Sequence, residues 1–315
     1  MTAGADAVPA RADGVVEEAL SFDCAGQALL GIVARPAAGL ADTGVVVVVG
    51  GPQYRAGAHR QFTLLARCLA RAGYAVLRFD VRGMGDSAGA PRSFEALDAD
   101  VQAASAALLQ AVPGVRRVVL WGLCDGASAA LLSLQPGPAG LARPPVAGLC
   151  LLNPWVRSAT SLAQVQVKHY YRQRLMEPAF WRKLLSGGVA GKALKDLLDN
   201  LRQARAGRQA DAEAAASAGA TDLPFQQRMA RAWSAFGGPV LLLLSERDAT
   251  AQEFGEFCAS DPGWQQALRQ RPPERVTLAG ADHTCSHPDA QRAAEIATTD
   301  WLARHFPTPP RVAAA

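Results

Sequence analysis

The chain has 315 residues, 50% of them hydrophobic and 19% charged, which is ample for a packed core and excludes a disordered or fibrous chain. A formal charge of +4 is too small to make nucleic acid a partner of the molecule as a whole. The longest aliphatic runs, 45–49 and 240–244, fall far short of the roughly 20 residues that cross a bilayer, and 1–25 lacks the basic-then-apolar order of a secretory signal.

Short aliphatic runs alternate with helical patterns, which predicts an α/β protein with a mostly parallel sheet of about eight strands. Val15 to Phe22 and Ala28 to Arg35 form an opening hairpin, and Val45 to Gly50 is the first buried strand. A helix follows over Gln61 to Ala72, then a strand over Tyr74 to Phe79 and a helix over Ser93 to Leu109 with Ser93 as its N-cap. Val118 to Trp121 is a short strand entering a glycine-bounded turn, and Ala127 to Leu134 continues as helix. Val146 to Leu152 and Val240 to Leu244 are two further apolar strands. A helical pattern over Glu253 to Arg269, broken near Pro262, precedes a strand at Arg275 to Leu278 and a last helix over Ala290 to Phe306. The tail 307–315 is expected to fray.

The stretch between the strands ending at Leu152 and starting at Val240 is much longer than a crossover needs. Residues 155–236 therefore read as an insert before the last two strands, between core segments 1–154 and 237–315. The insert carries 13 Lys and Arg against 6 acids, so the charge of the chain is concentrated there. Within it Lys168 to Leu175 and Phe180 to Leu185 interleave basic and aromatic residues, and 211–219 is an alanine-rich connection. A solvated helix face is the default for such a pattern. The functional reading is a helical lid over a site for an anionic substrate, with peripheral contact to a membrane surface or anionic partner next, and single-stranded nucleic acid last.

The most specific feature is Val118-Val119-Leu120-Trp121-Gly122-Leu123-Cys124-Asp125-Gly126-Ala127-Ser128, a strand that runs through G-x-C-x-G into a helix. This is a nucleophile elbow with sulfur in place of oxygen. Gly122 and Gly126 let neighbouring backbone pass close to a turn that thrusts the Cys124 side chain outward. The helix N-terminus and a paired histidine stabilise a thiolate at that point. Against this stands a small buried cysteine in a tight turn. The six cysteines form no CxxC pair, which fits a reducing cytoplasm rather than a disulfide framework.

A nucleophile of this kind needs a base, and His283 lies in the loop after the last strand. Asp248, in the loop after the preceding strand, is the acid that orients it, ahead of Glu246 and Asp282. His287 is a poorer base, and His59, His169 and His305 read as surface residues. The oxyanion donors are expected to be the N–H of Asp125 and, because Pro52 has none, that of Gln53. Tyr54, Arg55 and Arg82 border the site as substrate-binding residues. The Asp125 carboxylate is expected to pair with Arg55 or Arg82, since it would otherwise oppose both thiolate and oxyanion. His283, Cys285, His287 and Asp289 lack zinc-ligand spacing, so no metal is expected. Without a P-loop or a dinucleotide fingerprint, no cofactor is expected either.

With the elbow, the loop Asp80-Val81-Arg82-Gly83-Met84-Gly85-Asp86-Ser87 and the Asp248/His283 pair in place, the chain resembles the α/β-hydrolases over nearly its full length. Gly50-Gly51-Pro52-Gln53-Tyr54-Arg55, Trp121-Gly122-Leu123-Cys124-Asp125 and Leu152-Asn153-Pro154-Trp155-Val156-Arg157 more narrowly resemble the first of two families of hydrolases encoded beside the exosortase A system. That resemblance implies a link to bacterial exopolysaccharide and surface-protein export loci, without naming a substrate. The cysteine is similar to that of dienelactone hydrolases, but the insert is not. The reading is a cysteine-dependent hydrolase or acyltransferase acting on a small-molecule ester or thioester. Its rival is a catalytically silent binding protein that docks an anionic partner or membrane surface through the basic insert.

Overall fold

A computed structural model describes residues 10–12, 14–37, 39–51, 53–135, 144–157 and 223–308. Nine strands among them form one sheet in the order β1-β2-β3-β5-β4-β6-β7-β8-β9. They are β1 (Ala10–Ala12), β2 (Val15–Cys24), β3 (Gln27–Pro36), β4 (Thr43–Val48), β5 (Ala75–Phe79), β6 (Arg117–Leu123), β7 (Val146–Leu152), β8 (Val240–Ser245) and β9 (Glu274–Leu278). The antiparallel part is the hairpin β2–β3 with the short β1 beside it, and β3 joins β5 antiparallel. From β5 through β9 every neighbouring pair is parallel. The sheet is thus mostly parallel, as the continuous apolar runs imply, with β1 added to the strands read from the sequence.

Strand β4 shows why these runs are strands: Val46 and Val48 enter one core, and Val45, Val47 and Val49 enter the core on the other face. This is the two-residue period of a sheet covered on both sides. Helices α1 (Gln61–Arg71) and α7 (Pro288–His305) cover one face with Phe62, Leu65, Leu69, Trp301 and Leu302. The other face is covered by α2 (Asp98–Ala111), α3 (Asp125–Leu132), α4 (Phe225–Ala235), α5 (Ala249–Ser260) and α6 (Pro262–Gln270).

Two boundaries differ from the sequence reading, and a break it expected is present. Ser93 does cap a helix, accepting from Glu95 N, but the helix is a single 3-10 turn at Phe94–Ala96, and α2 starts at Asp98. The pattern around Pro262 is broken into two helices as expected, because Asp261 caps α6 at Trp264 N and Pro262 occupies its first turn, where no N–H is needed. The insert ends earlier than residue 236. The chain divides into two compact units, Met1–Val156 with Phe225–Ala315, and Arg157–Pro224. Helix α4 belongs to the core because Met229 and Trp233 are fully buried, and Trp233 stacks edge-on against Trp264 at 5.6 Å. The basic segments 168–175 and 180–185, His169 and the alanine-rich 211–219 lie outside the described residues. No helix among the described residues is long and apolar enough to cross a membrane.

Candidate functional site

The strand order places β4 between β5 and β6, so the chain leaves β4 on one side and returns on the other. Loops diverge at such a switch point and leave a crevice at the strands' carboxyl ends. The loops after β4 and β6 meet there. Cys124, between β6 and α3, has φ 59 and ψ −125, a conformation costly for a residue with a Cβ. A network holds it: Cys124 N donates to Leu152 O at 2.9 Å, while Cys124 O accepts from Ala127 N at 3.0 Å and Trp155 N at 3.2 Å. Both elbow glycines are obligatory. A Cβ on Gly122 would lie 2.6 Å from Ala127 N, and one on Gly126 would lie 2.4 Å from Val48 O.

Cys124 and His283 share a cavity of about 380 Å³ with Gly50, Gly51, Gln53, Asp125 and the aromatic rings of Phe62, Phe94 and Trp155. A second cavity of about 400 Å³, near the start of β7, is lined by residues such as Ser105, Val146 and Phe236 and offers no acid, base or thiol. His283 Nδ1 donates to Asp248 Oδ2 at 2.9 Å. Hydrogen bonding to Asp248, and secondarily to the Cys124 thiol, raises the imidazole pKa to about 10 against the opposing effect of burial. The ring therefore favours its protonated form beside the sulfur. Asp248 is buried and also caps α5, accepting from Thr250 N at 3.1 Å and Ala251 N at 3.3 Å. Capping and orienting are thus the work of one carboxylate. The competing acids are engaged elsewhere: Glu246 accepts from Gly280 N at 2.6 Å, and Asp282 accepts from Ser286 N at 2.8 Å.

Asn153 is a residue the sequence reading passed over. It is fully buried at φ 48, its Nδ2 donates to Ser245 Oγ at 2.9 Å and to His283 O at 3.2 Å, and its Oδ1 accepts from Ser245 N at 2.8 Å. It ties the ends of β7 and β8 to the loop that carries His283. The signal was an Asn-Pro pair directly after an apolar strand.

The loops after β4 and β5 correct several expectations. Arg55 is not free for substrate: its side chain pairs with the buried Asp80 and with Asp86. Arg82 is buried and forks onto Asp100, with contacts of 2.6–3.0 Å. Tyr54 is 52% exposed and does not line the cavity. Neither arginine reaches Asp125. Its Oδ2 instead accepts from Gly51 N at 2.7 Å and its Oδ1 from Gly126 N at 3.0 Å. Burial pushes this carboxyl pKa up, and the amides and the charge of His283 pull it back only in part. The Gly51 amide is thus engaged by the Asp125 carboxyl, while Gln53 lines the cavity. His283, Cys285, His287 and Asp289 do not converge: Cys285 is buried, and His287 caps α7 by accepting from Asp289 N at 3.3 Å. No group of three potential metal ligands occurs among the described residues.

None of the curated proteins compared by sequence is similar to this chain. Among solved structures, the esterase Pf2001 of Pyrococcus furiosus is similar at 14% identity and TM-score 0.59, with 92% of this chain and 91% of that chain covered. A dienelactone hydrolase from Anabaena variabilis is similar at 14% identity and TM-score 0.55, covering 93% and 99%. A serine hydrolase family member without a lid, from Xanthomonas campestris, reaches 16% and 0.54, covering 93% and 97%. Identities this low speak for the fold. The model of the Alpha/beta hydrolase family matches residues 45–297, a span that runs from β4 through the elbow to α7, and the chain belongs to that family.

Proposed function

We propose that the protein is a cysteine-dependent esterase or thioesterase, or an acyltransferase on the same substrates, in which Cys124 is the nucleophile, His283 the base and acid, and Asp248 the group that orients His283. The observation that carries this reading is the strained elbow that presents Cys124 to an imidazole whose other nitrogen is held 2.9 Å from a buried carboxylate. The Cys124 thiolate attacks the carbonyl carbon, a C–S bond forms, and the carbonyl oxygen becomes an oxyanion that accepts from the N–H groups of Asp125 and Gln53. Collapse breaks the bond to the leaving oxygen or sulfur, which takes the proton from His283. Water or an acceptor hydroxyl then gives a proton to His283, attacks the thioester and releases the thiolate.

Phe62, Phe94 and Trp155 make the described cavity wall apolar, and it holds no arginine or lysine. An uncharged acyl group suits that wall better than the anionic one expected from the sequence. The link to exosortase-associated hydrolases rests on the three sequence motifs alone. A panel of p-nitrophenyl and acyl-CoA esters, compared between wild type and Cys124→Ala, tests the reading. A loss of at least about 100-fold in the variant is expected. Equal rates would leave the binding protein as the better account.

A further inference from the structure

The apolar wall of the site is uneven. Of its described residues, Phe62 and Leu123 are almost wholly covered by the core, at 1% and 2% exposure, and offer the cavity little surface. That leaves Phe94 and Trp155, both half-buried, as its main apolar faces. Phe94 is backed by Phe225, which it meets edge-on at 5.1 Å. Trp155 is fixed through its backbone to the nucleophile itself: its N–H donates to Cys124 O at 3.2 Å, and its carbonyl accepts from Oγ of the fully buried Ser128 at 2.7 Å. The chain on either side is held as firmly. Asn153 N donates to Leu243 O at 3.0 Å, and Val156 O accepts from Nε2 of the buried Gln226 at 3.0 Å. The backbone that carries the indole is therefore a rigid mount beside the sulfur, and it does not give way to an oversized acyl group as a loose loop would.

A cavity of about 380 Å³ lies near the lower end of the range for small-molecule sites. The acyl group is the part of the substrate that stays on Cys124 through both steps, so it has to fit this space. Building on the cysteine-hydrolase reading, we propose that Trp155 is the residue that determines specificity for acyl length: its indole ends the apolar wall beside Cys124 and restricts the substrates to esters or thioesters of short or medium acyl chains. Each methylene that finds room against the wall raises kcat/KM about fourfold. A methylene that meets the indole forces strain on a close-packed contact, and the gain reverses. The wall thus rewards chain growth up to the indole and penalises it beyond.

The test is a series of straight-chain p-nitrophenyl esters from acetate to dodecanoate, read as kcat/KM in wild type, Trp155→Ala and Trp155→Phe. In wild type the profile is expected to rise about fourfold per methylene, pass through a maximum at a medium chain and fall by dodecanoate. Trp155→Ala is expected to move the maximum to chains longer by about two carbons and to raise kcat/KM on dodecanoate on the order of tenfold, the combined effect of two further methylenes that fit. Trp155→Phe, which removes less of the ring, is expected to shift the maximum less in the same direction and covers the case in which the alanine variant does not fold. A maximum that stays in place in the folded variants, whatever happens to the overall rate, overturns the assignment, as does a wild-type profile still rising at dodecanoate. Failure of the underlying reading looks different. Cys124→Ala would then keep wild-type turnover on every ester, whereas a wrong assignment of Trp155 leaves turnover dependent on Cys124 and the length profile unmoved.

Discussion

The loops after β8 and β9 and the loops after β4 and β5 are built from the same ingredients, charged residues beside glycines at the carboxyl ends of parallel strands, yet their charges end in opposite places. After β8 and β9, Asp248 and His283 turn toward each other, and His283 lines the cavity together with Cys124. After β4 and β5, Arg55, Asp80 and Arg82 turn inward, the two arginines meeting buried carboxylates, and Asp125, after β6, meets backbone amides, one of them from the loop after β4. A charged side chain at a strand end becomes available for chemistry only when the groups around it leave it unsatisfied or poised against another titratable group. Where a counter-charge or a row of amides lies within reach, the chain uses it for structure.

The contrast is sharpest if each side is broken separately. Replacing His283 by Ala or Asp248 by Asn should cut kcat/KM by about 10²–10⁴-fold while leaving the folded state intact, measured on the esters that report Cys124-dependent turnover. Arg82→Met should act the other way round. It strands Asp100 without its buried partner, so urea denaturation should show a loss of about 3–5 kcal/mol, with an unchanged preference between anionic and neutral esters. An altered preference would return Arg82 to the substrate site. Asn153→Ala falls between the two sides, because it both removes buried hydrogen bonds and frees the His283 loop. About 1–3 kcal/mol of stability should be lost, together with a fall in kcat smaller than that of His283→Ala.

A gentler probe is pH. The His283 pKa is raised to about 10 in the folded protein, above its ordinary value near 6.5. Its contribution to stability is therefore fully present below about pH 6.5 and is lost as pH rises through about 10. The thermal midpoint of wild type should decline over that window, and His283→Gln should flatten the decline. The thiols separate in the same spirit. Burial pushes the pKa values of Cys24, Cys68, Cys150, Cys258 and Cys285 upward, so mass spectrometry after brief iodoacetamide treatment near pH 6 should find the label on Cys124 first.

Almost every strand and helix of the core was legible in the sequence, because a sheet buried on both faces leaves continuous aliphatic runs and α1 shows its apolar stripe at helical spacing. The elbow, the histidine and the acid were legible for a related reason: Gly122, Gly126 and the order of Cys124, Asp248 and His283 are properties of the chain itself, needing only the assumption that parallel strands end at one edge. What the tertiary structure alone decided is which charges are spent. The sequence offers Arg55 and Arg82 to Asp125, Asp80, Asp86 or Asp100 without ranking them, and the separations that choose among these pairings come from how the sheet brings distant loops together. The same holds for Asn153, which joins three loops far apart in sequence, for α4, whose place in the core follows from Met229 and Trp233 meeting Trp264, and for the Gly51 amide, whose partner 74 residues away is a carboxylate that no local pattern could have assigned to it.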